Sequence, residues 1–372
     1  MKIKLFFLIG MLTSLLACSN SYRDVSPAID SVVLKGQWIT EPNGQVMRDP
    51  QTSGLTHWNG QLMTLSDRSA HPSQRLRLRA IEAQGAKLTP QNMPMILAEH
   101  IKFGCFGDYL ATNPDLEALV ADPQESGVFF TITEDASSQG QLSGRCRQKY
   151  ANTGSTDFPT LLVRLKIQDD GTVLMTNTRP VQFASSFMVG NFPNDGIEGL
   201  ALGTDRTLYL ALEKDSKSNA RIFSTILTDD FWQTNDFIPL VDTEVKLPKF
   251  KQGNHPINGL DFYQYGEKSY LLAAARNDET LWIIDLTRSQ ETRIVSLVFQ
   301  APVMSTEGCE KWELMDNASI EGIAVVGKTL WLINDPWKKV YMQNVRCEQN
   351  RANYLMMAPL LFSLPIQGNW FE

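Results

Sequence analysis

Five segments of the chain repeat one pattern, and this repeat limits the fold more than any other feature. Each opens with a small or acidic residue and an apolar pair, passes through a turn rich in Gly, Asp or Asn, and ends in a β-rich run. This order is typical of a β-hairpin. The segments are SGLTHWNGQLMTLSDR (53–68), LEALVADPQESGVFFTITED (116–135), IEGLALGTDRTLYLALEKD (197–215), INGLDFYQYGEKSYLLAAARND (257–278) and IEGIAVVGKTLWLINDP (320–336).

The spacing of these hairpins predicts a closed ring. The matching positions 54, 117, 198, 258 and 321 are separated by 63, 81, 60 and 63 residues, and further strand-like runs lie between them. Repeats of about 60 residues with four strands each are typical of propeller blades. We therefore predict an all-β fold, a β-propeller of four-stranded antiparallel blades. Five blades fit best, and six are the alternative because the 81-residue step has room for a degenerate blade. We expect the run SVVLKGQWI (31–39) to pair with the last blade and close the ring.

The start of the chain predicts export. Lys2 and Lys4 precede an apolar run that ends at Ala17. This is the pattern of a secretory signal, and the run is too short to span a bilayer as a helix. We therefore expect a signal peptide over residues 1–17.

The end of that signal resembles a bacterial lipobox, because the letters LLAC place small Ala17 before Cys18. The lipobox predicts a lipidated Cys18, a tether over residues 18–29 and a single propeller domain over residues 30–372. Ser19 stands where an inner-membrane lipoprotein usually has Asp, so we expect an outer-membrane lipoprotein that faces the periplasm or the cell surface. The alternative is ordinary signal cleavage with an incidental Cys18.

The other four cysteines indicate an oxidising compartment. Sequence alone allows three pairings of Cys105, Cys146, Cys309 and Cys347. We predict the pairing of neighbours, Cys105 with Cys146 and Cys309 with Cys347. Because no C-x-x-C motif occurs, a thiolate zinc site or a redox dithiol is disfavoured.

The charge of the chain disfavours a nucleic-acid partner. The formal net charge is −7, and it becomes −9 when the two lysines of the signal are removed. Duplex binding depends largely on neutralisation of phosphates by Lys and Arg. We expect a monomer that contacts the membrane only through its lipid.

Acidic residues recur where the inner strands of a propeller would begin. Since the first strand of each blade lies beside the central channel, these residues should meet at one mouth of that channel. The expected inner ring consists of Glu117, Glu198, Asn258 and Glu321. The ends of the hairpins should add a wider ring that includes Asp67, Arg68, Lys214, Arg276 and Asp335.

Carboxylates gathered in a narrow mouth either rise in pKa or share a cation. Oxygen ligands without His or Cys favour Ca²⁺, with Mg²⁺ or Mn²⁺ as the next choice. We therefore expect a divalent-cation site formed by Glu117, Glu198, Asn258, Glu321, Asp67 and Asp335. The alternative is that each glutamate caps a turn by accepting backbone N–H hydrogen bonds.

The motifs SGLT…LMTLSDR and IEGLA…LYLALEKD resemble the phytase-like family of exported bacterial proteins, described as having esterase-like activity. Residues 257–286 are also similar to one blade of the calcium-dependent β-propeller phytases, and the resemblance covers roughly residues 50–340. It implies a metal-dependent hydrolase of phosphoric or carboxylic esters. Glu198 and Glu321 would be the catalytic carboxylates, and Arg68, Lys214 and Arg276 would hold the anionic group of a small substrate. The DDPAIW-like and NNFD…Y stretches of true propeller phytases are absent.

Two other readings of the same mouth remain open. The gluconolactonase and paraoxonase type of propeller uses Glu, Asn and Asp on a central calcium to hydrolyse lactones. A propeller that binds a metal without catalysis would be a lipid-anchored scaffold. A serine hydrolase is disfavoured because the sequence lacks a G-x-S-x-G motif.

Overall fold

Strands dominate the chain, as the repeat predicts. The computed structural model describes residues 31–134, 142–154, 159–189, 196–303 and 308–372. The predicted signal peptide (1–17) and the tether that begins at Cys18 lie outside the described residues. Among the residues described, no helix is long and apolar enough to cross a membrane.

The strands fall into five successive units that follow two short strands at the start. These two strands are β1 (Ser31–Lys35) and β2 (Gln37–Trp38). The first unit contains β3 (Thr52–Trp58), β4 (Gln61–Ser66), β5 (Arg77–Glu82), β6 (Lys87–Leu88) and β7 (Met93–Leu97). The second contains α1 (Glu99–Lys102), α2 (Gly107–Thr112), β8 (Leu116–Ala121), β9 (Val128–Thr133), α3 (Gly144–Lys149), β10 (Thr160–Ile167) and β11 (Val173–Gln182).

The remaining three units repeat this plan with fewer helices. The third contains β12 (Ile197–Leu202), β13 (Thr207–Leu212), β14 (Arg221–Ile226), β15 (Ile238–Pro239) and β16 (Val241–Asp242). The fourth contains β17 (Gly259–Tyr265), β18 (Lys268–Ala275), β19 (Thr280–Asp285), β20 (Arg293–Pro302) and β21 (Trp312–Met315). The fifth contains β22 (Ile320–Val326), β23 (Thr329–Asn334), α4 (Arg351–Leu355) and β24 (Leu360–Pro365).

The first strands of the five units form a ring. Strand β3 contacts β8, β8 contacts β12, β12 contacts β17, β17 contacts β22, and β22 returns to β3. In every unit the first strand pairs antiparallel with the second, so the five predicted hairpins are confirmed. A ring of antiparallel units with their first strands innermost is the arrangement of a β-propeller.

Glycine allows the inner strands to approach one another. A Cβ atom on Gly54 would lie 2.6 Å from the backbone nitrogen of Leu119, and one on Gly322 would lie 2.8 Å from the carbonyl carbon of Gly54. Real Cβ atoms essentially never come this close to backbone, so a larger residue would push the strands apart. The glycines therefore set the narrow spacing at the centre of the ring.

The run 31–39 closes the ring only in part. Strand β2 pairs antiparallel with β24 of the fifth unit, as predicted, but β1 runs parallel to β20 of the fourth unit. The chain crosses between the two units at Gly36, whose N–H donates to the carbonyl of Gln300 at 2.8 Å. A Cβ atom at this position would lie 2.6 Å from the ring of Phe362, so glycine is needed for the crossing.

The units are not all separate four-stranded sheets, which corrects the prediction of uniform blades. Strand β7 pairs antiparallel with β5 and parallel with β11, so the nine strands of the first two units share one sheet. Strand β15 of the third unit pairs parallel with β11 and is the tenth strand of this sheet. The other four strands of the third unit form a sheet of their own, and the three strands of the fifth unit form a four-stranded sheet with β2. The five strands of the fourth unit form a six-stranded sheet with β1. Because outer strands expose unpaired N–H and C=O groups, an edge strand gains hydrogen bonds by bridging to its neighbour.

Apolar side chains fill the space between adjacent units. Phe299 of β20 and Phe362 of β24 meet edge to face with ring centroids 5.0 Å apart, and both are buried. The edge-to-face arrangement suits the quadrupoles of the two rings. Burial of a side chain of this size contributes about 1.5–3 kcal/mol. The cores between units thus hold the ring rigid around its centre.

Both predicted disulfides are present. Cys105, just before α2, bonds to Cys146 of α3, and their Cα atoms are 5.6 Å apart. Cys309 bonds to Cys347 with a Cα separation of 6.0 Å. Each bond therefore ties a connecting segment to the rest of the fold.

Candidate metal centre

Three glutamates from three different units meet at one end of the ring, which we call the mouth. Glu117, Glu198 and Glu321 are the second residues of β8, β12 and β22. One carboxylate oxygen from each lies within 4.8 Å of those of the other two, and all three residues are buried. The structure thus brings together the three acidic members of the predicted inner ring.

A β-bulge lies at each of these positions. The pairing of β12 with β13 shifts between Ile197 and Gly199, and the pairing of β22 with β23 shifts between Ile320 and Gly322. The shift in β8 follows Glu117 directly. Bulges re-aim side chains next to functional sites. The local irregularity thus accompanies the convergence of the three glutamates.

Asn258 occupies the equivalent place in the fourth unit, one residue before β17. The residue is fully buried, and both polar atoms of its side-chain amide lack a hydrogen-bond partner among the described residues. A buried amide without a partner costs about 1–3 kcal/mol. Its carbonyl oxygen is therefore available as a hard ligand, the role that the sequence predicts for it.

A second set of carboxylates surrounds the inner glutamates. Asp67, Asp115 and Glu117 form one group of potential ligands with oxygens within 4.8 Å of one another, and Glu134, Glu198 and Glu213 form another. Asp67 also accepts hydrogen bonds from the backbone N–H groups of Ser69 and Ala70. Because Glu117 and Glu198 each belong to two groups, the acidic cluster is continuous across the mouth.

Asp115 and Asp335 complete this cluster. Sequence reasoning missed Asp115, although its signal was present two residues before Glu117 in the letters DLE. The predicted ligand Asp335 is buried, and its Oδ1 atom has no hydrogen-bond partner in the described chain. Both residues thus add negative charge to the wall of the mouth.

Two of the three basic residues predicted to hold an anion, Arg68 and Arg276, pair with acids of the mouth. The Arg68 Nε atom is 2.9 Å from Asp115 Oδ2. Arg276 bonds to Glu321 through Nη1, and its Nη2 atom is 3.6 Å from Glu213 Oε1. Lys214 follows Glu213 at the end of β13 and is half-buried. Their positive charge is thus partly engaged inside the acidic cluster.

Carboxylates outnumber cations in this cluster. The acids are Asp49, Asp67, Asp115, Glu117, Glu134, Glu198, Glu213, Glu321 and Asp335, and the bases are Arg68, Arg276 and Lys338, with Lys214 next to Glu213 in the sequence. In the part of the chain that the structure describes, the carboxylates of Glu117 and Glu198 have no hydrogen bond or ion pair. Turn capping by backbone N–H groups, the alternative raised from the sequence, is therefore not observed for these two residues.

The pKa values of the cluster reflect this imbalance. Burial, followed by the charge of Glu198, raises the pKa of Glu117 well above its usual value. Burial and then Glu213 raise the pKa of Glu198 to about 8, although Arg276 opposes the shift. Burial and Asp115 raise the pKa of Asp67 to about 6, and burial raises that of Asp335. A proton or a bound cation must therefore relieve the repulsion near neutral pH.

No family model matches the sequence, and no curated protein matches it. Among solved structures, the chain is similar to the major allergen Mala s 1 of Malassezia sympodialis, with 8% identity and a TM-score of 0.46 over 86% of this chain and 94% of that one. It is also similar to the GH43_1 enzyme of Xanthomonas citri in complex with xylose, with 9% identity and a TM-score of 0.44 over 86% and 90% of the two chains. A third is the RS223 β-xylosidase, with 8% identity and a TM-score of 0.44 over 86% and 92%. Similarities this low carry no argument about function, so the class rests on the chain's own geometry, a β-propeller with an acidic mouth.

Proposed function

We propose that the mouth binds one divalent cation. The observation that supports this proposal most strongly is the meeting of Glu117, Glu198 and Glu321, whose oxygens lie within 4.8 Å of one another at the centre of the ring. Three carboxylates at this spacing repel one another unless a positive charge is shared. Turn capping by neutral backbone N–H groups would not supply that positive charge.

The ligands available at the mouth are hard oxygens. Within the described ranges, the carboxylates of Glu117 and Glu198 have no hydrogen-bond or ion-pair partner, and the buried side-chain amide of Asn258 has no hydrogen-bond partner. Carboxylate and amide oxygens suit Ca²⁺, which takes six to eight such ligands in a flexible geometry. Mg²⁺ and Mn²⁺ are the alternatives for the same donor set. Asp67, with an oxygen within 4.8 Å of one of Glu117, and the buried Asp335 are further candidate ligands of the same cation.

We further propose that the mouth hydrolyses phosphoric or carboxylic esters. A bound divalent cation would supply Lewis-acid activation of an ester oxygen and lower the pKa of water. Glu198 and Glu321 are the catalytic carboxylates in this scheme, because both face the same point at the centre of the mouth. Arg68 and Lys214 lie at the rim and would orient the anionic group of a small substrate, as positive groups do where charge develops.

The setting proposed for this activity is the outer membrane. Cys18 would be the lipidated N-terminus of the mature protein, a five-bladed propeller related to the phytase-like family. The five-membered ring of inner strands supports the blade count, and the quoted repeat motifs support the relationship. Replacement of Cys18 with Ser should release the protein from membranes or block its processing. A variant that still fractionates with membranes would contradict the lipid anchor.

Calcium titration by calorimetry tests the cation site. We expect one calcium per wild-type chain and at least about 100-fold weaker binding by Glu198→Gln, because the substitution keeps the shape of the side chain and removes a central charge. The matched control is Glu125→Gln, which changes a half-exposed glutamate paired with Arg164. It should bind calcium as the wild type does. Absence of binding in the wild type would contradict the cation site.

Turnover of model substrates then separates the enzymatic readings. The wild type should hydrolyse a phosphate monoester or a carboxylic ester with calcium, and both EDTA and Glu198→Gln should abolish that activity. Hydrolysis of lactones alone would favour the lactonase-like reading. Calcium binding without any turnover would favour the non-catalytic scaffold.

A further inference from the structure

Arg276 occupies a central place in the acidic cluster. It begins the short turn Arg276–Asp278 that follows β18 in the fourth unit. Its guanidinium bonds to Glu321 of the fifth unit and lies 3.6 Å from Glu213 of the third. One fixed positive charge therefore links three neighbouring units across the mouth.

The two partners of Arg276 belong to different groups of potential metal ligands. Glu321 completes the group that contains Glu117 and Glu198, and Glu213 completes the group that contains Glu134 and Glu198. In both groups, one carboxylate is thus neutralised by the same guanidinium. Among the described residues, the oxygens at the centre that have no hydrogen-bond or ion-pair partner belong to Glu117, Glu198 and the amide of Asn258.

The contacts of the side chain indicate that charge holds it in place. Its Nε–H group is buried and has no hydrogen-bond partner among the described residues. Its other neighbour is the ring of Trp337, whose centroid is 5.9 Å from the guanidinium carbon. A guanidinium that served only to stitch strands together would be expected to use its buried donors. This one directs its terminal nitrogens at two carboxylates and leaves a donor unused.

We propose that Arg276 is a resident counter-ion that limits the mouth to one divalent cation and weakens the binding of that cation. The proposal rests on the cation site of the preceding section. It makes Arg276 a positioning residue rather than the anion-binding residue expected from the sequence. A fixed positive charge beside the site repels a second cation and withholds Glu321 and Glu213 from metal coordination. The same charge prevents the surplus of carboxylates from binding several ions without selectivity.

Calcium titration of Arg276→Met tests this inference, because methionine keeps much of the length of the side chain and removes its charge. We expect the wild type to bind one calcium. The variant should bind two, the first at least about tenfold more tightly than the wild type does. The matched control is Arg206→Met, which removes a guanidinium paired with the buried Asp122 at the turn end of the strands. The control should bind one calcium with wild-type affinity.

Arg276→Lys separates charge from shape. It keeps the positive charge and loses the fork of the guanidinium, so it should bind one calcium with an affinity within about threefold of the wild type. If Arg276 served only a structural role, replacement with lysine and replacement with methionine would disturb calcium binding to the same degree. Two calcium ions bound to Arg276→Lys would overturn the proposal.

Thermal melting covers the case in which Arg276→Met folds poorly without metal. Loss of the guanidinium removes a positive charge from beside Glu321 and Glu213, so added calcium should raise the melting temperature of this variant more than that of the wild type. An equal or smaller rise would overturn the proposal. A titration in which Arg276→Met binds one calcium with unchanged or weaker affinity would also overturn the proposal, even if the wild type binds calcium as expected. A wild type that binds no calcium would remove the cation site itself and this inference with it.

Discussion

The pKa of a glutamate is shifted in opposite directions at the two ends of one hairpin. Glu117 lies at the start of β8, where burial and neighbouring carboxylates raise its pKa well above the usual value. Glu125 lies in the turn beyond the other end of β8, where hydrogen bonds from Arg164 and Lys166 lower its pKa. The carboxylate of Glu125 pairs with Arg164 and Lys166, whereas that of Glu117 lies beside other carboxylates. Glu125 is thus paired within the chain, whereas Glu117 has no such partner among the described residues and leaves a negative charge for a ligand to balance.

The largest expected effect is the loss of stability on removal of a disulfide far from the mouth. Replacement of Cys105 and Cys146 with Ser opens a bond with a sequence separation of 41 residues. The free energy of unfolding should fall by about 4 kcal/mol, the value expected for a loop of this length. Urea denaturation measures the loss. Calcium affinity should stay as in the wild type, and a parallel loss of affinity would show that mouth and periphery are coupled.

The second effect concerns protons at the mouth. Glu198 has a pKa raised to about 8, so a cation that binds there must displace a proton at neutral pH. Calcium affinity should rise by up to about tenfold per pH unit between pH 6 and 8. Calorimetry in buffers of different ionisation enthalpy measures the released proton. An affinity that is independent of pH over this range would mean that Glu198 is already ionised.

The third effect is the stability of the protein in EDTA. The folded-state pKa of Glu198 lies above the unfolded value of 4.5, so the folded state binds the proton more tightly. The contribution of Glu198 to stability is therefore fully present below about pH 4.5 and is lost as the pH rises towards 8. We expect a loss of at least about 1 kcal/mol over this window, and Glu198→Gln should reduce it. Urea denaturation midpoints should be measured at pH 5, 6.5 and 8. A midpoint that increased from pH 5 to pH 8 would contradict this expectation.

The smallest effect belongs to the outer turn. Glu125→Gln removes an ion pair whose carboxylate side chain is 50% exposed. Pairs of this kind contribute about 0.2–1 kcal/mol, so the free energy of unfolding should change by no more than that. Denaturation in urea checks the value, and 1 M salt should shrink the difference between variant and wild type. A loss well above about 1 kcal/mol would contradict the contrast between the two ends of β8.

Much of this architecture could be predicted because its signals are local. The alternation and turns of residues 197–215 specify β12 and β13 without reference to the rest of the chain. The repeat order then places Glu117, Glu198 and Glu321 at equivalent positions, and the closure of the ring brings them together. Nearest-neighbour pairing of the cysteines was sufficient for the same reason, since each disulfide lies within one or two adjacent units.

The features that sequence reasoning missed depend on contacts between units. The parallel pairing of β7 with β11 joins two sheets, and no local pattern distinguishes an edge strand that bridges from one that ends a sheet. The pairing of Arg276 with Glu321 joins residues of the fourth and fifth units, and it depends on how closely the glycine-lined strands approach. Asp115 carried a sequence signal, but its contact with Asp67 appears only when the first two units are packed together.

A crystal structure grown with calcium is the strictest test of the cation site, because anomalous scattering locates the ion independently of the protein atoms. We predict one anomalous peak at the mouth, with oxygens of Glu117, Glu198 and Asn258 at about 2.3–2.6 Å from it. Arg276 should remain on Glu213 and Glu321 in that structure. A mouth without a peak, in which Glu117 and Glu198 accept hydrogen bonds from backbone N–H groups, would contradict the account.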